Sequence, residues 1–183
     1  MPGARTPSSG PSVTQVVTGL DIAHRIEQKF PGAVLEAIPE GATVKAEDLL
    51  GACSFVRDEP DLKFEFLSSL TGVDCLDSFE VVYHIESIRL NMITCLKVKT
   101  YDRENPRVPS VCPVWPGANL QEREAYDLLG IHFEGHPDLR RIFLWDGFAG
   151  FPLRKDYLNL PGGLMAGLER FPGEPGGKLE GRG

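Results

Sequence analysis

The sequence predicts an α+β fold, a small antiparallel or mixed sheet with helices on one face, followed by an extended C-terminal segment. Three observations predict it. Residues 79–88 and 92–99 are two alternating runs joined by a short polar link, the pattern of a hairpin with one buried face. Residues 18–30 and 46–57 carry apolar side chains at helical spacing, and residues 119–129 lie between helix start and stop signals. Beyond residue 130 no period is visible. Helices combined with such strands make a sheet covered on one side.

Each element has its own local signals. Residues 1–13, rich in Pro, Gly and Ser, are expected to be disordered. In residues 18–30, Leu20, Ile22, Ala23, Ile26 and Phe30 lie near one face; Thr18 can cap the start, and Pro31-Gly32 ends the helix. Residues 33–38 form a short strand, Pro39-Glu40-Gly41 turns it, and residues 42–46 return. A helix over 46–57 follows, with Leu49, Leu50, Cys53 and Val56 inward and Pro60-Asp61 as its stop. Phe64, Phe66 and Leu67 open an apolar run towards Val73. In the hairpin, Phe79, Val81, Tyr83 and Ile85 share one face, and residues 89–91 form the turn. The helix over 119–129 is expected to start at Asn119 as cap, with Glu122 three residues on closing a capping box, and Gly130 is suited to a left-handed stop. The chain thus divides into a disordered N-terminus (1–13), an α+β domain (14–130), an extended segment (131–157) and a Gly/Pro-rich tail (158–183).

The balance of 26 acidic against 19 basic residues among 183, net −7, disfavours nucleic acid, because neutralising phosphates needs a basic surface. A 42% hydrophobic, 25% charged composition is that of a globular chain. No apolar run approaches the ~18 residues of a membrane span, and the N-terminus lacks the apolar core of a signal peptide, which points to the cytosol. The four cysteines, 53, 75, 95 and 112, are too scattered for an iron–sulfur or zinc site and read as reduced, small hydrophobes.

Several motif candidates fail on context. His132 and His136 are four apart, but Gly130, Gly135 and Pro137 oppose a helix there and no Glu follows His132, so H-E-x-x-H is absent. These read as loop histidines satisfied by a carbonyl or carboxylate. The run 173–178 resembles a phosphate loop but is one residue short, with Leu179 where Ser or Thr should be. There is no G-x-G-x-x-G after a strand and no G-x-S-x-G. Glu122, Arg123, Glu124 and Asp127 crowd one short helix, where acids near the first turn suit the helix dipole better than they suit an acid–base pair. Residues 140–157 gather Arg140, Arg141, Arg154 and Lys155 among aromatics. Planar guanidinium groups pair with carboxylates and stack on rings, so this segment reads as a docking surface.

Three runs carry a resemblance. Residues 122–131, Glu-Arg-Glu-Ala-Tyr-Asp-Leu-Leu-Gly-Ile, are similar to the E-R-E-x-[YF]-D-[LM]-x-G-I signature of the C-type, 30 kDa subunit family of respiratory NADH:quinone oxidoreductase (complex I). Residues 135–142 and 152–157, Pro-Leu-Arg-Lys-Asp-Tyr, continue that family's pattern in order, and residues 81–84 and 109–111 also match. The resemblance covers about residues 60–157. It departs at Leu144-Trp145-Asp146-Gly147-Phe148, where the family commonly reads Leu-Pro-Asp-Asp-Trp, and at Phe151, where His is common.

The resemblance implies a non-catalytic scaffold and assembly subunit in the peripheral arm of a proton-pumping complex, on the cytoplasmic face of a bacterial membrane. It implies no cofactor or metal on this chain; the holoenzyme uses FMN, iron–sulfur clusters, NADH and a quinone. The implied partners are the quinone-site (D-type) subunit and the cluster-bearing (B-type and I-type) subunits, with membrane contact only through the complex. Glu122, Arg123, Glu124, Asp127, His136, Arg140, Arg141, Arg154, Lys155 and Asp156 are the expected partner-interface residues. A second reading within the family is the equivalent chain of a relative fed by ferredoxin, a deazaflavin or hydrogen. A reading from another class is a free-standing α+β binding module.

Overall fold

The structure, a computed structural model, describes residues 13–157; the expectations for residues 1–12 and 158–183 lie outside the described residues. Along the chain run β1 (Gln15–Val16), α1 (Gly19–Lys29), β2 (Val34–Ile38), β3 (Gly41–Val44), a single 3-10 turn (Ala46–Asp48) and α2 (Leu49–Asp58). After these come β4 (Phe66–Asp74), β5 (Phe79–Ser87), β6 (Met92–Thr100), β7 (Arg107–Pro109), α3 (Ala118–Leu129) and β8 (His132–Glu134).

The expected hairpin is the centre of the sheet: β5 pairs antiparallel with β6 from Phe79↔Thr100 to Ser87↔Met92. The strand order is β2-β3-β6-β5-β4, with β4 antiparallel to β5, and β1 and β3 both parallel to β6. The fold is α+β with a mixed sheet. Inward positions of β5 and β6 (Val81, Tyr83, Ile85, Leu96, Val98) join Ile22 and Ile26 of α1, Leu49, Cys53 and Val56 of α2, and Ala125 and Leu129 of α3 in one core.

Local chemistry explains the first helix. Thr18 caps α1: its hydroxyl accepts from the Asp21 amide (3.2 Å) and donates to the Asp21 carboxylate (2.7 Å). Elsewhere the boundaries differ from expectation. The helix over 46–57 begins as a 3-10 turn, and Phe64 is a buried residue ahead of β4 whose carbonyl accepts the Trp115 indole N–H (2.9 Å). Residues 131–134, which showed no period, end in the short strand β8, parallel to β7, and Ile131 and Phe133 lie in the core.

The start of α3 is a correction. Asn119 does not cap and Glu122 does not close a capping box: α3 begins one residue earlier, after Gly117, with no side-chain cap. The reason lies upstream. Residues 111–117 wind in successive turns, so the carbonyls of Trp115 and Pro116 already take the Ala118 and Asn119 amides, leaving the cap little to satisfy. Glu122 is thereby free to turn into the core. The stop is as expected: Gly130 adopts the left-handed conformation (φ 75°) and returns its N–H to the Tyr126 carbonyl.

Candidate functional site

Two buried carboxylates on α3 each hold a loop. Glu122 is fully buried; one oxygen accepts from the Ser110 hydroxyl and the other from the Val111 amide, both at 2.7 Å, and the Cys112 thiol adds a longer contact of 3.4 Å. Burial pushes its carboxyl above the ordinary value, against the pull of those donors and of His136. Asp127, also fully buried, receives the amides of Ile142 (3.1 Å), Phe143 (2.8 Å) and Leu144 (3.0 Å) on one oxygen. Its other oxygen faces Arg141 Nη1 at 3.5 Å. Three converging amides make a nest around the anion, so a segment with no helix or strand of its own still has a fixed path.

Cys112, Glu122 and His136 bring possible metal-ligand atoms within 4.8 Å of one another. The same residues form a polar network of their own. His136 Nε2 donates to the Asn119 carbonyl (3.1 Å), and Nδ1 accepts from the Asp138 amide (3.0 Å). Those partners place a proton on Nε2 and engage Nδ1 as an acceptor. Burial also pushes the Cys112 thiol up to about 11.

A second cluster ties the end of the segment to the sheet. The buried Asp74 at the end of β4 accepts from Arg103 through both oxygens (2.7 and 3.1 Å), from the Leu76 amide and from the Lys155 amide (2.9 Å). The Arg103 guanidinium holds the Asp74 carboxyl well below the usual carboxylate range. Arg103 also pairs with Asp156 (3.1 Å). Arg154 donates to the Leu129 and Arg103 carbonyls and lies over two rings, Phe79 at 4.9 Å and Phe151 at 4.8 Å. Its burial lowers the guanidinium's pKa. Such stacked, desolvated guanidinium–ring contacts are worth more than exposed ones.

The expected interface residues therefore separate. Glu122, Asp127 and His136 are internal. Arg123 donates to the carbonyls of Arg140 and Arg141; Arg141 faces Asp127 and Phe151; Arg154 is wedged between rings. These cations find oxygens and rings of their own chain. Glu124, Arg140 (paired with Asp138), Lys155 and Asp156 are exposed, as are Phe143 and Leu153. Asp74, Arg103 and Ser110 were missed. Asp74 closes an apolar run, and its partner stands 29 residues on, so no local pattern marks either.

The comparisons agree with this architecture. The family model described as respiratory-chain NADH dehydrogenase, 30 Kd subunit, matches residues 42–161. The chain belongs to this family. Among members of the 30 kDa family, a C-type NADH-quinone oxidoreductase subunit of Rhizobium meliloti (strain 1021) is 47% identical over 117 residues, 62% of this chain and 63% of that protein. The C-type NADH-quinone oxidoreductase subunit of Roseiflexus sp. (strain RS-1) is 42% identical over 142 residues, 74% of this chain and 81% of the relative. The chain thus spans under two thirds of the Rhizobium protein's length and more of the Roseiflexus one. A chain of the membrane-bound sulfane sulfur reductase, an archaeal respiratory membrane complex, shares the fold, with TM-score 0.61, 24% identity and coverage of 75% and 84% of the two chains. Among the described residues no helix is long and apolar enough to cross a membrane.

Proposed function

We propose that this 30 kDa-family chain is a scaffold and assembly subunit in the peripheral arm of a proton-pumping NADH:quinone oxidoreductase. It docks through residues 131–157 on the quinone-site subunit, close to the cluster-bearing subunits, at the cytoplasmic face of the membrane. It carries no redox group of its own; FMN, iron–sulfur clusters, NADH and quinone belong to other subunits. The observation that carries the reading is the Asp127 nest: it fixes the path of residues 142–144 while Phe143 stays 63% exposed. A buried charge that holds an aromatic outwards is preorganised for contact, which lowers the ordering cost of binding. Relatives 42–47% identical are named as subunits of NADH-quinone oxidoreductase, which favours NADH-fed complexes over other respiratory assemblies.

The test is native purification of the tagged full chain in gentle detergent. Recovery of the other peripheral-arm subunits is expected, reduced more than about tenfold by Phe143→Ala combined with Arg140→Glu. Elution of the wild-type chain alone, near 20.1 kDa, would overturn the reading and favour a free-standing module.

A further inference from the structure

Among the described residues no helix covers the second face of the sheet, and the two ends of that face differ. Positions Glu80, Val82, His84 and Glu86 of β5 alternate onto this face, opposite Lys99, Lys97, Cys95 and Ile93 of β6. At the Glu80 end the charges are matched: Glu80 lies 3.3 Å from Lys97 and 3.6 Å from Lys99, and Lys99 also reaches Glu36 at 3.3 Å. At the Glu86 end they are not. There a cavity of about 380 Å³ opens over Ile93 and Cys95, walled by Val16 and by the Pro39-Glu40 turn between β2 and β3. Two carboxylates, Glu40 and Glu86, stand at it with His84, Ser68, Ser69 and Thr94; among the described residues no Lys or Arg lines it, and neither carboxylate side chain has a hydrogen-bond or ion-pair partner.

A solvated sheet face is normally polar throughout. An apolar cavity flanked by unpaired acids is the complement of an apolar side chain flanked by a cation. We propose that this cavity is a second docking site, for a segment of a neighbouring protein subunit that inserts one apolar side chain and sets a Lys or Arg beside it against Glu40 and Glu86. The proposal rests on the reading of the chain as a subunit of a larger complex, but it uses a different surface. Along β5 the cavity at Glu86 is seven residues, roughly 24 Å, from Phe79, where Arg154 anchors residues 131–157. The chain would then be gripped from two sides.

The test places the photo-crosslinker p-benzoylphenylalanine at Ser69, which lines the cavity, in the tagged full chain within the purified complex, with Glu47 on the helix layer as control. Irradiation is expected to join Ser69 to one peptide of another subunit in which a Lys or Arg neighbours an apolar residue. In parallel, the double variant Glu40→Lys, Glu86→Lys should lower recovery of the complex more than about tenfold, and Glu40→Gln, Glu86→Gln by less, with thermal melting of the full chain unchanged. The crosslink decides the matter if the Lys variant fails to fold. No crosslink overturns the proposal, as does one only to residues 1–12, to residues 158–183 or to a second copy. If the wild-type chain recovers no complex, the subunit reading fails and this site falls with it. If it recovers the complex and Ser69 stays silent, only this site fails.

Discussion

The backbone amide of Phe143 donates to the carboxylate of Asp127 across 2.8 Å, from a stretch of chain with no regular structure of its own. Asp127→Ala would strand this amide and those of Ile142 and Leu144, at a cost of about 3–5 kcal/mol in urea unfolding of the full chain. Asp127→Asn keeps an acceptor and loses the charge, and should cost about 1–2 kcal/mol. A loss under about 1 kcal/mol for the alanine variant would mean that water replaces the carboxylate.

Glu122 predicts a pH dependence of definite sign. Its folded value is raised above the ordinary 4.5, chiefly by burial, so above that pH the folded chain retains a proton that the unfolded chain has released. The contribution is complete below 4.5 and is lost as pH rises through the folded value. Glu122→Gln keeps an acceptor for Val111 and cannot titrate. Wild-type stability minus that of the Gln variant should therefore fall with rising pH from about 4.5 and then level off. A difference that grows with pH would refute the assignment.

Asp74 has the opposite sign. Arg103 lowers its folded value below 3.8, so its contribution is present above 3.8 and fades as pH falls through the folded value. Asp74→Asn should cost about 2–4 kcal/mol near neutrality, and the gap to wild type should narrow in acid. Equal gaps at neutral and strongly acid pH would show that the Arg103 pairing contributes nothing.

Gly130→Ala couples a helix stop to the segment beyond it. The left-handed φ of 75° strains any L side chain, and an added Cβ would stand 2.5 Å from the Phe151 ring and 2.7 Å from the Arg154 guanidinium. The variant should lose about 1–3 kcal/mol and be cut by trypsin faster at Arg140 and Arg141. Unchanged cleavage would show that residues 140–154 hold independently of the stop.

Arg154→Lys keeps a charge but not the planar fork that serves two carbonyls and two rings, so it should destabilise the full chain by about 1–2 kcal/mol, and Arg154→Ala by more. The family resemblance implies that Arg154 lies at the partner interface. A melting temperature unchanged by either substitution would show that its contacts within the chain contribute nothing to stability.

What was legible in the sequence was local. Thr18, the alternation of β5 and β6, and Gly130 act on neighbours within a few residues, and each was read correctly. The parallel placement of β1 and β3 beside β6 depends on long-range packing that no period encodes. Asn119 and Glu122 fit a capping box by spacing, yet the turns over 111–117 supplied the acceptors first and the core took the carboxylate. The partners of Arg154 within the chain, carbonyls and rings, leave no charge pattern to read, and Arg141 faces a carboxylate that stands well back in the sequence, on Asp127.

The link between the Lys155 amide and Asp74 spans 81 residues of sequence. Asp74 ends β4, which pairs with β5, so the anchor of Lys155 depends on a strand laid down against the hairpin. The far end of the exposed segment is thereby tied to the edge of the sheet, while its middle is tied to α3 through Asp127. A chain in which β4 has come away from β5 would lose this anchor, so the shape offered to a partner reports on the sheet behind it.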